Sequence, residues 1–163
     1  MTISEILAIV FGSFGMITGI IGLIISILGY NRSKFDIINA FFQYMLDSEF
    51  IQSRKFVYNL PENKIIDNTY SDKEQNYIAT VANTYHHYGL LVKRRQLPLW
   101  IFYDKKEKKL TASGIAVIRM YNKLKETIKN RRNNGNVEYA RYFEWLYNEL
   151  NNKLQNNDKR KQS

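Results

Sequence analysis

Two hydrophobic patterns divide the chain. From Ile6 to Tyr30 it is apolar and carries no charge, and from Phe35 onward apolar and polar positions alternate with a helical period. Phe35, Ile38, Phe42 and Met45 recur at three, four and three, which predicts an amphipathic helix directly after the apolar run. Asp47 or Ser48 offers an N-cap to a second helix with Phe50, Arg54, Val57 and Leu60, and Pro61 ends it. Residues 61–72 are polar and unpatterned and read as a loop. Asp72 opens a third helix carrying Tyr77, Ile78, Val81, Ala82 and Tyr85, with Gly89 expected as its C′ residue. Pro98 to Tyr103 reads as a short helix and Asp104 to Lys109 as a charged loop. Ile115, Ile118, Tyr121, Leu124 and Ile128 mark a fourth helix. After the turn Asn133-Asn134-Gly135-Asn136, Tyr139, Tyr142, Phe143, Leu146 and Leu150 form a helix expected to pack back on it.

The expected architecture is all-α: one N-terminal transmembrane helix followed by a single helical domain. Residues 1–33 form the membrane helix with its flanks, 34–150 the helical domain, and 151–163 a basic tail without fixed structure.

The apolar run supports the membrane assignment in its own terms. At about 1.5 Å rise per residue it spans about 37 Å, enough to cross a hydrocarbon core of about 30 Å. Thr2 or Ser4 can cap its start, where Glu5 suits the helix dipole. The run is long for a cleaved signal peptide, lacks a basic start, and is closed by Asn31-Arg32-Ser33-Lys34 in the manner of a stop-transfer flank. Its small residues are Ala8, Gly12, Gly15, Gly19, Gly22, Ser26 and Gly29, spaced alternately four and three. Lipid tails are as apolar as leucine, so helices associate in a bilayer by close packing, and small residues permit it. The stripe predicts a homo-oligomer through helix–helix contact, and a ring of more than a few such helices leaves an axial opening.

Charge adds orientation and a class of partner. All 24 basic residues lie after Tyr30, against 14 of the 15 acidic ones, so that part of the chain stands at +10. Arg32 and Lys34 on one flank, with only Glu5 on the other, predict that residues 32–163 lie in the cytoplasm. The excess positive charge favours nucleic acid or anionic headgroups. Lys93, Arg94 and Arg95, near Trp100, are the first candidate contact, and Arg131 and Arg132 the second.

The catalytic inventory is short. There is no cysteine, hence no thiol nucleophile or thiolate metal site, and the only histidines are His86 and His87. Neighbours on a helix point about 100° apart, so the pair does not form same-face metal ligands. No phosphate loop, nucleophile elbow or H-E-x-x-H motif occurs. The Arg-x(4–6)-His motif of HEPN ribonucleases is absent: the nearest arginine before His86 is Arg54, and Arg131-Arg132-Asn133-Asn134 is followed by no histidine. No metal, cofactor or hydrolytic turnover is expected.

Three stretches carry a resemblance. They are Phe50-Ile51-Gln52-Ser53-Arg54-Lys55-Phe56-Val57-Tyr58-Asn59-Leu60; Val81-Ala82-Asn83-Thr84-Tyr85 with Gly89-Leu90-Leu91-Val92-Lys93; and Phe143-Glu144-Trp145-Leu146. Together they resemble a bacterial family of short membrane-anchored helical proteins, and within it the pore-forming accessory proteins of type VI-B CRISPR systems. The chain differs from that pattern at His86-His87, where acidic residues are commoner, and at Tyr121, where tryptophan is usual. The resemblance implies a divergent HEPN-like helical bundle behind a membrane helix, assembly into a ring, and a role in RNA-guided antiphage defence through membrane depolarisation. It implies as partners other copies of the chain, membrane lipid, and an RNA-guided effector or RNA. The alternatives are a membrane-tethered RNA-binding or ribonuclease accessory and a monomeric membrane-anchored scaffold.

Overall fold

The computed structural model describes residues 2–62, 65 and 70–161, without the side chains of 5–14, 17 and 158–161. The loop expected at 61–72 lies largely outside the described residues. Five α-helices make up almost all of the described chain: α1 Ile3–Met45, α2 Ser48–Asn59, α3 Asp72–Lys93, α4 Ala112–Asn133 and α5 Arg141–Lys161. A single 3-10 turn, Leu99–Ile101, and a two-stranded antiparallel hairpin, β1 Tyr103–Asp104 with β2 Lys109–Leu110, link α3 to α4. The all-α expectation holds.

The chain divides into two compact units, Met1–Ala40 and Phe41–Ser163. The first is helix alone. The expected break between an apolar helix and an amphipathic one is absent, because nothing from Arg32 to Met45 interrupts the helix: the stretch has neither proline nor glycine. The expected boundary at residue 33 therefore falls inside α1. Within this unit Thr18 Oγ1 donates to the Gly15 carbonyl at 3.0 Å, and Lys34 Nζ lies 4.5 Å from the centre of the Tyr30 ring. Among the described residues no helix is long and apolar enough to cross a membrane. The span expected from Ile6 includes residues 6–14 and 17, whose side chains lie outside the described set.

In the second unit, α2, α3 and α4 start where the sequence provides an acceptor. Asp47 takes the Phe50 amide at 2.9 Å, and Thr111 takes that of Gly114. Ser71 and Glu74 form a reciprocal capping box at the start of α3. Such caps contribute about 1 kcal/mol each. Leu60, ahead of Pro61, is extended and ends α2 as expected.

The core is aromatic. Tyr85 stacks on Phe143 with ring centres 5.0 Å apart, and Phe143 meets Tyr121 edge-on at 5.3 Å. Phe41 packs against Tyr88 at 4.7 Å and Phe102 at 5.5 Å. Phe50, Val57, Ile78, Val81, Leu124, Ile128, Leu146 and Leu150 fill the space between. Phe41 and the expected Met45, but not Phe42, are the described residues of α1 that enter this core. Ile115, expected in the core, is 40% exposed, and Val117 takes the buried position instead.

Three further expectations change. Gly89 does not end α3, which continues to Lys93. A Cβ at Gly89 would lie 2.0 Å from the Tyr142 carbonyl oxygen, so the glycine is there to let α5 approach. The end of α3 is a Schellman turn, with Arg95 N–H to the Val92 carbonyl, Gln96 N–H to the Leu91 carbonyl, and Arg95 itself left-handed at φ 60°. The expected charged loop is a hairpin turn, nucleated where Asp104 Oδ1 accepts the amides of Lys106 and Glu107. Helix α5 runs on through the region expected to be unstructured, held by the Lys153–Glu149 pair and by Asn157, which donates to Tyr103 Oη and to the Lys108 carbonyl.

Two stability predictions follow from these geometries. Alanine is the better helix former by about 0.8–1 kcal/mol, so on propensity alone Gly89→Ala would stabilise α3. The blocked Cβ reverses the sign, and a loss of about 1–3 kcal/mol is expected in thermal unfolding of the full chain followed by circular dichroism. A rise in Tm would exclude the close approach. Arg95→Gly, by contrast, relieves a left-handed arginine and is expected to gain up to about 1 kcal/mol in the same measurement.

Candidate functional site: a basic and aromatic surface

Sequence reasoning singled out two features, the small-residue stripe of α1 and two basic clusters. The stripe residues Gly15, Gly19, Gly22, Ser26 and Gly29 lie on described helix, and Ala8 and Gly12 are among the undescribed side chains. A Cβ built at Gly15, Gly19, Gly22 or Gly29 finds nothing within 4 Å. Around them Met16, Ile20, Ile21, Leu23, Ile24, Ile25, Ile27 and Leu28 are all exposed. The helix is apolar on every side here, which marks a segment that requires apolar surroundings.

The basic clusters are brought to one short segment, residues 139–145. Lys93, at the end of α3, places its ammonium 5.3 Å from the centre of the Tyr142 ring and 5.8 Å from that of Trp145. Arg131, in the last turn of α4, lies 4.8 Å over Tyr139 and donates to its hydroxyl at 2.8 Å. Arg141 lies 6.0 Å over Tyr142 and pairs with Glu138. Trp100, the expected neighbour of the first cluster, stands exposed on the 3-10 turn and takes none of these cations. The aromatic residues that do, at 139, 142 and 145, repeat every third position, and that spacing was the signal available in the sequence.

The five candidate cations differ in how committed they are. Lys93, Arg94 and Arg95 are exposed. Arg132 is held inside: Nη1 bonds Glu144 Oε2 at 2.5 Å, Nε donates to the Tyr139 carbonyl at 2.8 Å, and Nη2 is buried without a partner. Tyr121 donates its hydroxyl to the other oxygen of Glu144 at 2.8 Å. Arg132 thus ties α4 to α5 and is a structural arginine, while Arg131 joins it only through Tyr139.

Burial pushes the Glu144 carboxyl up, but the hydrogen bonds from Arg132 and Tyr121 and the charges of Arg132 and Lys129 outweigh it, leaving it below the usual 4.5. Burial likewise lowers His86, whose ring packs edge-on to Tyr142 at 5.2 Å; Glu138 opposes this, and His87 and Arg132 add to it. His87 is exposed. Among the described residues no group of three His, Cys, Asp or Glu side chains is placed to hold a metal ion. What the surface offers is positive charge and π faces, the combination that receives phosphates and stacked bases.

A folded-state pKa below the unfolded one means that Glu144 contributes stability above the ordinary glutamate range and loses it as pH falls through its lowered value. Tm is therefore expected to drop as pH is taken from 7 towards 3, and Glu144→Gln to flatten that slope. An unchanged slope in the variant would remove the ion pair from the account.

The chain matches one family pattern, that of Domain of unknown function (DUF4760), over residues 16–150. No curated protein and no solved structure matches it. The matched stretch takes in the stripe from Gly19 onward and the whole basic and aromatic surface, and on that extent the chain belongs to the DUF4760 family.

Proposed function

We propose that this chain is a single-pass, homo-oligomeric protein of the bacterial inner membrane that forms a pore or pore-like effector, with its helical domain in the cytoplasm. One observation carries the reading: a helix whose described residues from Gly15 to Leu28 expose apolar side chains on all sides and whose glycines stand open. An exposed apolar surface of that extent needs lipid or other helices around it. Lipid supplies the apolar solvent, and the open glycines supply the faces for close helix contact. Arg32 and Lys34 support the orientation.

The assignment to RNA-guided antiphage defence rests on the resemblance of the three core stretches. In that role the pore depolarises the membrane when a defence partner detects phage RNA. The cations stacked on Tyr139, Tyr142 and Trp145 favour a second reading, in which the domain contacts RNA directly and the helix is a tether.

The stripe decides between them. Gly15→Leu with Gly19→Leu introduces two isobutyl groups that hold neighbouring backbones apart, so the detergent-solubilised oligomer is expected to lose mass in light scattering. In cells carrying the protein with its defence partners, uptake of a potential-sensitive dye is expected to rise on infection and to stay flat in the double variant. Protection that survives replacement of residues 6–30 by an unrelated monomeric anchor would reject the pore and leave the tether.

A further inference from the structure

We infer that a groove formed by the end of α1, α2 and α4 is a binding site for one anionic phospholipid, its phosphate held by Arg54, Lys55 and Arg119 and an acyl chain lying along Phe42, Leu46 and Ile115. The cavity measures about 700 Å³ and is lined by these residues together with Met45, Ile51 and Tyr58. That volume is in the range of sites that take a single small ligand, about 300–1,000 Å³.

Its apolar wall is open to solvent. Leu46 is 77% exposed, and Phe42, Ile51, Tyr58 and Ile115 are each at least 40% exposed. Ile115 keeps the helical period of the buried face of α4, yet it opens into the groove rather than the core. A contiguous patch of this kind on one domain marks a surface with an occupant.

The charges say what the occupant carries. The lining contains three cations and no carboxylate. Among the described residues none of the three enters an ion pair. The two arginines are held instead by neutral groups: Arg119 Nη1 donates to Tyr58 Oη at 3.1 Å with its guanidinium 5.7 Å over that ring, and Arg54 lies 5.3 Å over Phe50 and against Met45 Sδ, while Lys55 is exposed. Cations positioned by aromatic rings keep their full charge for an anion, and guanidinium groups suit phosphate oxygens. Anionic lipid meets both requirements. The inference rests on the membrane reading given above.

The test uses the full chain in mild non-ionic detergent, with phosphatidylglycerol, phosphatidylcholine or inorganic phosphate added and bound lipid read by native mass spectrometry. Phosphatidylglycerol is expected to bind at least about tenfold more tightly than phosphatidylcholine, and Lys55→Gln with Arg119→Gln to remove that preference. Leu46→Asp, at the most exposed position, is expected to weaken both lipids and carries the test if the double variant does not fold. Equal binding of the two lipids, binding unaffected by these changes, or displacement of the lipid by inorganic phosphate alone each overturns the inference. Alkaline extraction of membranes from the same cells reads the anchor separately. Protein that stays in the pellet without a lipid preference overturns the groove and leaves the anchor standing. Protein that is released but keeps the preference supports the groove and overturns the anchor.

Discussion

The helical domain is organised around one contact, the approach of α5 to α3 at Gly89. Where other helix pairs are separated by side chains, here a backbone carbonyl, that of Tyr142, occupies the space a Cβ would need. That approach sets the height of α5 over α3, and so the stacking of Tyr85 on Phe143 and the reach of Tyr121 to Glu144. It also puts Tyr142 beside Lys93 and His86, which creates the basic and aromatic surface. A second glycine does the same for α4: a Cβ at Gly114 would meet the Phe102 carbonyl at 2.0 Å, and the hairpin is pressed against the helix start as a result. The two glycines outside the membrane-like segment that lie within helices are both there for packing.

With 24 cations and 15 acids, carboxylates are too few to neutralise every basic side chain. The domain solves this by laying arginine and lysine on tyrosine and tryptophan faces, at about 0.5–1 kcal/mol for an exposed pair. Its one well-built ion pair, Arg132 with Glu144, is spent on joining α4 to α5. Cations without a carboxylate partner gather at the surface in two places of different character. One is flat, with π faces beside the cations. The other is a groove whose floor is apolar.

Periodicity made the helices legible, since every apolar series of three and four lies in a helix, although α1 has no break near residue 33 and α5 runs past its expected end at 150. It failed where two explanations share one residue type. Gly89 fits a helix end and a close approach equally well, and only the position of Tyr142, far along the chain, separates them. Phe41 and Phe42 both fit the apolar face of α1, and the choice between them depends on where Tyr88 and Phe102 lie. Asn151 to Lys161 reads as a solvated tail by composition, because the bonds from Asn157 to the hairpin are invisible in it. The cationic residues of the candidate surface were readable and the spacing of Tyr139, Tyr142 and Trp145 was visible, but their pairing was not, since α3 and α4 meet residues 139–145 only through the tertiary fold.

The pairing of α3 with α5 also imposes an order in time. The partner of Gly89 is made about 50 residues after it, several seconds later at ordinary rates of translation. Until then the face of α3 that carries Gly89 lacks α5, and the domain cannot close. The apolar run of α1 leaves the ribosome well before that point. Whatever recognises the apolar run of α1 during synthesis would therefore meet it while the domain behind it is still open.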